Sequence, residues 1–159
     1  MRLNLGCGPT RIEGYTSIDI SEQMKPDIVA DVADLPMEDN SVDVIFASHI
    51  LEHFRHDVPV LAEWHRVLKP GGEIHVMVPD FLQLYELYRC GNVDLNYLMA
   101  TFYGAQLLGY PEEYEHKQTF TASMLVDRMK PYFPDASMVG GCEVRHAFIG
   151  EAMVEGHKP

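Results

Sequence analysis

Gly6 and Gly8, in the run Leu3-Asn4-Leu5-Gly6-Cys7-Gly8-Pro9-Thr10, are of a type and spacing that can do chemistry. Apolar residues of strand character lead straight into two glycines. A buried strand should therefore end in a turn where backbone comes within contact distance of a ligand, an approach that a side chain would block. A plain tight turn uses the same residues. Asp19 closes the run Tyr15-Thr16-Ser17-Ile18-Asp19-Ile20. An acid ending a parallel strand can accept hydrogen bonds from both hydroxyls of a ribose, and its plainer alternative is a turn-forming aspartate. The pattern has no third glycine, and its gap to Asp19 is shorter than the ~20 residues usual for NAD. The Lys-Ser/Thr of a phosphate-cradling loop is also missing. The expected ligand carries a ribose and no phosphates.

A second set is imidazole-rich: His49-Ile50-Leu51-Glu52-His53, then His56, and far along the chain His116. His53 and His116 lie on segments expected to border the crevice, and an imidazole near neutral pH can take a proton from a hydroxyl, so both are candidate general bases. Packing or surface histidines are the plainer reading. His49, Glu52, His53 and His56 fall near one face of a helix, a spacing that suits a metal. The order Glu52-His53 is not that of a His-Glu-x-x-His zinc motif, and no metal is assigned.

The elements that must position these residues alternate strand and helix, the pattern of a parallel sheet covered by helices. Strands are expected at Arg2 to Leu5, Tyr15 to Ile20, Asp27 to Ala30, Val42 to Ala47 and Glu73 to Val78. The link from Gly8 to Gly14 is too short for a full helix. Val60, Leu61, Trp64, Val67 and Leu68 repeat at helical spacing, with Asp57 as N-cap and Lys69-Pro70-Gly71-Gly72 as stop. Cys90-Gly91-Asn92 divides the stretch from Phe81 to about Gly109 into two helices, and Thr121 caps another that ends at Pro131. Ser137 to Arg145 and Gly150 to His157 read as a terminal antiparallel hairpin. In such a sheet Gly6, Gly8, Asp19, Asp31, Ser48 and His49 all follow or end strands and face one crevice.

The 159 residues, 47% of them hydrophobic, suit a single domain, 1–159, with its own core. A formal charge of −12 with no segregated basic patch argues against nucleic acid as a partner. Three scattered cysteines, read as ordinary buried thiols, and the absence of a long apolar run or of room for a leader before the first strand point to a cytoplasmic protein with no membrane partner.

The chain resembles the class I S-adenosylmethionine-dependent methyltransferases, and more narrowly their type 11 subgroup. The resemblance is carried by Leu3 to Gly8, by Asp34-Leu35-Pro36-Met37 with Asp39 to Asp43, by His49 to His53, and by Arg66-Val67-Leu68-Lys69-Pro70-Gly71-Gly72, in family order. It implies a Rossmann-like, doubly wound α/β fold with a mostly parallel sheet, and S-adenosylmethionine as cofactor. It places Gly6, Cys7 and Gly8 under the methionine part of that cofactor, Asp19 and Ile20 at its ribose, Asp31 and Val32 at its adenine, and Ser48 and His49 at the pocket edge nearest the methyl. Residues 81–118 occupy the place of a substrate-recognition insertion. Thr101 to Gln106 and Glu115-His116-Lys117 resemble a smaller set thought to act on sugars or cell-surface glycans, so the implied acceptor is a small molecule, a saccharide among them. Aromatic residues here could stack on an acceptor, although a stripe at helical spacing reads first as core. Family members carry a helix before the first strand where this chain begins, and with the short link after Gly8 this implies either weak cofactor binding or an active site open to a bulky substrate. A non-catalytic module that binds the adenosyl ligand or a protein is the alternative, and pairing with a second copy is left open.

Overall fold

The structure, a computed structural model, describes residues 1–103, 115–139 and 151–159. One seven-stranded sheet organises them, in the order β3-β2-β1-β4-β5-β7-β6. The strands are β1 (Arg2–Leu5), β2 (Thr16–Asp19), β3 (Ile28–Val29), β4 (Val42–Ser48), β5 (Leu68–Pro79), β6 (Ser137–Met138) and β7 (Glu151–His157). β1 to β5 pair in parallel, while β7 runs antiparallel to both β5 and β6. This is the Rossmann-like, mostly parallel architecture expected, with antiparallel strands at its C-terminal edge. Much of the proposed hairpin, and the Gly104 to Gln106 part of the sugar-like motif, lie outside the described residues.

β4 reads Val-Asp-Val-Ile-Phe-Ala-Ser and buries all its apolar positions, as a strand covered on both faces must. Helix α1 (Asp57–Val67) turns Val60, Leu61, Trp64 and Val67 into the core, all at 1% exposure or less. Each such side chain contributes about 2 kcal/mol on burial. Helices α2 (Phe81–Arg89) and α3 (Leu95–Tyr103) flank the break at Cys90-Gly91-Asn92, and α4 (Ala122–Met129) packs on β6 and β7. Thr121 does cap α4, its hydroxyl accepting from the Met124 N–H.

Several local expectations are corrected. His56, not Asp57, takes the N-cap position of α1, and Asp57 is instead a buried first-turn residue that pairs with Arg128 at 2.9 Å. β5 begins at Leu68 rather than Glu73, because Val42 pairs with Leu68 and Val44 with Glu73, leaving Lys69 to Gly72 as a bulge inside the strand. Helix α1 does stop before it. Cys90 is exposed, whereas Cys7 is buried. The aromatic stripe is not core: α2 and α3 bury only Leu84 and Leu98, and Phe81, Tyr85, Tyr88, Tyr97 and Tyr103 are exposed.

Candidate active site

Chain order reverses between β1 and β4, and ligands of open α/β sheets bind beyond the carboxyl ends of the strands at that place. No helix joins β1 to β2, so the Gly6-Cys7-Gly8 turn lies open at this edge. Both glycines adopt left-handed backbone, φ +60° and +50°. A Cβ on Gly6 would stand 2.7 Å from Ile50 Cδ1, while nothing lies within 4 Å of the same point above Gly8. The turn is held by the Cys7 N–H donating to the Ile18 carbonyl at 3.0 Å and the Gly8 N–H to Asp19 Oδ2 at 2.8 Å. Arg11, which sequence reasoning passed over, donates to the carbonyls of Gly8, Thr10, Met24 and Lys25 and ties the two loops together. Burial pushes the Cys7 thiol up in spite of Arg11.

Asp19 Oδ1 accepts from the Ser21 N–H at 2.9 Å, so each carboxylate oxygen spends one lone pair on backbone and retains another. Ile20 beside it is 71% exposed. Asp31 is exposed and caps the Ala33 N–H, and the carbonyl of buried Val32 accepts from Trp64 Nε1 at 2.9 Å. Arg66 reaches Leu35 O, Met37 O and Asp39, and its partner Glu63 accepts from the Leu35 N–H. That contact with Arg66 holds the Glu63 carboxyl below the usual range. Helix α1 thus braces the loop after β3 through side chains.

Beyond β4 the character changes. Ser48 ends the strand half-buried, and His49 follows with φ +54°, a conformation uncommon for a residue with a Cβ and one that clusters at functional sites. His49 Nε2 meets Glu151 Oε1 at 2.5 Å, and its Nδ1 stands 3.4 Å from Glu52 Oε1. Burial alone would push this imidazole down, but the hydrogen bonds and charges of Glu151 and Glu52 outweigh it and push it up to about 9.

Leu51–His53 forms a single 3₁₀ turn rather than an α-helix, so the helical face expected for His49 to His56 does not exist, and His56 is exposed. The turn instead meets residues 115–118. Both the Lys117 and Gln118 N–H groups donate to the Glu52 carbonyl, at 2.8 and 3.1 Å, which sets His116 beside His53 with ring centroids 4.8 Å apart. The two candidate bases, 63 residues apart in sequence, are brought together. His116 Nδ1 lies 2.7 Å from the Thr101 carbonyl and His53 Nδ1 3.1 Å from the Glu115 carbonyl. A carbonyl only accepts, so each Nδ1 carries a hydrogen, which leaves Nε2 as the atom that can accept a proton or bind an ion. Burial, the largest influence, pushes the His116 imidazole down despite Glu52.

Sequence reasoning weighed Glu52 only with the helical set and passed over Glu151 and Asp80. Glu52 is 1% exposed, and among the described residues its carboxylate has no close hydrogen bond, with His49 Nδ1 at 3.4 Å and His116 Nε2 at 3.8 Å from Oε1. Asp80 is buried at the end of β5, capping α2 through the Leu82 and Gln83 N–H groups and accepting from the Ala122 N–H at the start of α4. With the Phe81 N–H donating to the Phe120 carbonyl, it anchors the segment that carries His116. An acid after an apolar strand and before a helical stripe is a cap signal that could have been read; the reach to Ala122 could not.

Residues 3–76 match the sequence profile of a family described as a methyltransferase domain. A demethylmenaquinone methyltransferase of Staphylococcus haemolyticus is 32% identical over 131 residues, covering 73% of this chain and 52% of that protein. The chain spans about half the length of such curated relatives. Among solved structures, an S-adenosylmethionine-dependent methyltransferase from Methanosarcina mazei superposes with TM-score 0.66 at 20% identity, over 99% of this chain and 91% of its own. A 1,6-didemethyltoxoflavin N1-methyltransferase from Burkholderia thailandensis, solved with its substrate and S-adenosylhomocysteine bound, gives 0.60 at 15%, over 99% and 70%. These structural likenesses are of fold.

Proposed function

We propose that the chain is a class I S-adenosylmethionine-dependent methyltransferase of type 11, a reading supported by the methyltransferase-domain profile over residues 3–76, and that it transfers a methyl group from S-adenosylmethionine to a small molecule that gives up a proton. The observation that carries the proposal is the adjacency of an open, backbone-built crevice and a half-buried imidazole cluster around buried Glu52 at the β1/β4 reversal. The residues fit the cofactor. A Cβ at Gly8 would fill the space over the turn, and Asp19 keeps the lone pairs that a pair of ribose hydroxyls would use. Gly6, Cys7 and Gly8 would line the methionine part, Asp19 and Ile20 the ribose, Asp31 and Val32 the adenine, with Ser48 and His49 toward the reacting end. When bound, the cofactor supplies a methyl group on a sulfonium, a leaving group already activated.

The chain's own work is to hold the acceptor in line and to receive its proton. His53 and His116 are placed to receive it through their Nε2 atoms, and the carbonyls of Glu115 and Thr101 keep each ring in the accepting tautomer. The exposed aromatic side chains of α2 and α3, with Phe81 stacked on Phe102 at 4.9 Å, would present the acceptor as a flat or ring-shaped compound. The name of the staphylococcal relatives favours a quinol ring. A saccharide, which aromatic faces also stack against, is the competing acceptor.

Calorimetry with S-adenosylmethionine and S-adenosylhomocysteine, followed by methyl-transfer assays on demethylquinols and on sugars, tests the proposal. Binding of both cofactor forms and turnover on the quinol arm are expected; turnover only on sugars overturns the quinol assignment. Absence of cofactor binding overturns the function, and binding without turnover on either arm favours the non-catalytic module.

A further inference from the structure

We propose that Glu52, His53 and His116 form a binding site for one divalent transition-metal ion of the zinc class. One donor atom from each of the three lies within 4.8 Å of the others, with His116 Nε2 3.8 Å from Glu52 Oε1. Adjacent ligands of an ion with bonds of about 2.1 Å stand about 3 to 3.5 Å apart, so side-chain movements of about an ångström close the site.

Glu52 is fully buried, and among the described residues its carboxylate lacks a close hydrogen bond, its polar neighbours being the imidazoles of His49, Nδ1 at 3.4 Å, and His116, Nε2 at 3.8 Å. Leaving such a group without a close hydrogen bond is costly, and buried charges are normally paired or bound to metal. Both imidazoles are prepared as ligands in the way outer partners prepare metal-bound histidines: Nδ1–H is given to a backbone carbonyl, which fixes the tautomer and turns the Nε2 lone pair outward. The site is also braced before any ion arrives. The Lys117 and Gln118 N–H groups grip the Glu52 carbonyl, and the Gln118 side chain donates to the Phe54 carbonyl at 2.6 Å. Two imidazole nitrogens and one carboxylate suit zinc, cobalt, iron or nickel better than magnesium or calcium, which prefer oxygen. Three protein ligands leave open positions, the arrangement of catalytic rather than structural zinc.

The consequence for chemistry rests on the proposed methyl transfer; the binding does not. An Nε2 bound to the ion no longer accepts a proton, so occupancy replaces the base role. A hydroxyl of the acceptor at an open position would then be acidified: its O–H bond breaks with the electron pair kept by the oxygen, and the proton passes to water.

Tag-free protein, stripped with chelator, is titrated with zinc by calorimetry and with cobalt by visible absorption. One ion per chain is expected, with Glu52→Gln and His116→Ala each weakening affinity by about 100-fold or more, a scale already reached by loss of an outer partner alone. His56→Ala, a change at an exposed residue outside the cluster, should bind as the wild type does. S-adenosylhomocysteine affinity of every preparation reports folding and tests the methyltransferase reading separately. Failure of the wild type to bind a stoichiometric ion, or retention of full affinity by Glu52→Gln, overturns the site, whatever the result for the adenosyl ligand.

Discussion

The crevice after β1 to β3 and the imidazole cluster after β4 lie along the same edge of the sheet but are built by opposite means. In the crevice the contacts are short-range and largely backbone: Gly8 to Asp19, Asp19 to Ser21, Asp31 to Ala33. Its side chains are mostly exposed or half-buried, leaving lone pairs and N–H groups for a solute. In the cluster, Glu52, His53, His116, His49 and Glu151 come from three distant stretches of chain, and Glu52 is shut away from water. A surface that grips a large polar ligand can be assembled from one turn, since the ligand supplies the missing partners. A group that moves a proton or holds an ion needs low exposure and fixed tautomers, which only packed, sequence-distant segments provide.

This contrast can be broken most sharply at the cluster. Replacing both His53 and His116 by alanine should lower turnover on an identified acceptor about 10³-fold while S-adenosylhomocysteine affinity stays within about twofold, measured by steady-state kinetics and calorimetry. Equal losses in both readouts would mean that the two regions are one mechanical unit. At the crevice, Asp19→Ala should weaken cofactor binding by about 100-fold, since it removes charge-assisted acceptors and also frees the Gly8 N–H. Zinc or cobalt affinity should not follow. A smaller effect is expected of Gly6→Ala, about 10-fold in cofactor affinity, because left-handed backbone and the approach to Ile50 oppose a Cβ there.

The smallest expected effect concerns the brace rather than either site. The Glu63 carboxyl is depressed in the folded state, so its contribution to stability is present above its unfolded value near 4.5 and is lost as pH falls below that. Glu63→Gln should lower the melting temperature at pH 7 by an amount corresponding to roughly 1 kcal/mol, and the difference from wild type should shrink toward pH 3. Thermal melts across that range check the sign; a difference that grows toward acid would contradict it.

Legibility followed the range of the contacts. The strands around Gly6, Asp19 and His49 were readable within a residue or two because alternation, apolar runs and turn residues act over a few positions. The Thr121 cap and the break at Cys90-Gly91-Asn92 were readable for the same reason. Asp57 was misplaced because two polar residues adjoin the start of α1, and its ion pair with Arg128 on α4 is invisible along the chain. The aromatic residues of α2 and α3 show helical spacing whether or not anything covers them, so spacing alone could not say that they face outward.

By itself the order of residues determined the type and succession of elements, the glycine turn and the acid at the end of β2, since these depend on local backbone preference and short hydrogen bonds. Only the tertiary structure decided that His116 stands beside His53 and that Glu52 is buried next to them. Burial, and the pairing of segments 63 residues apart, are properties of the packed chain.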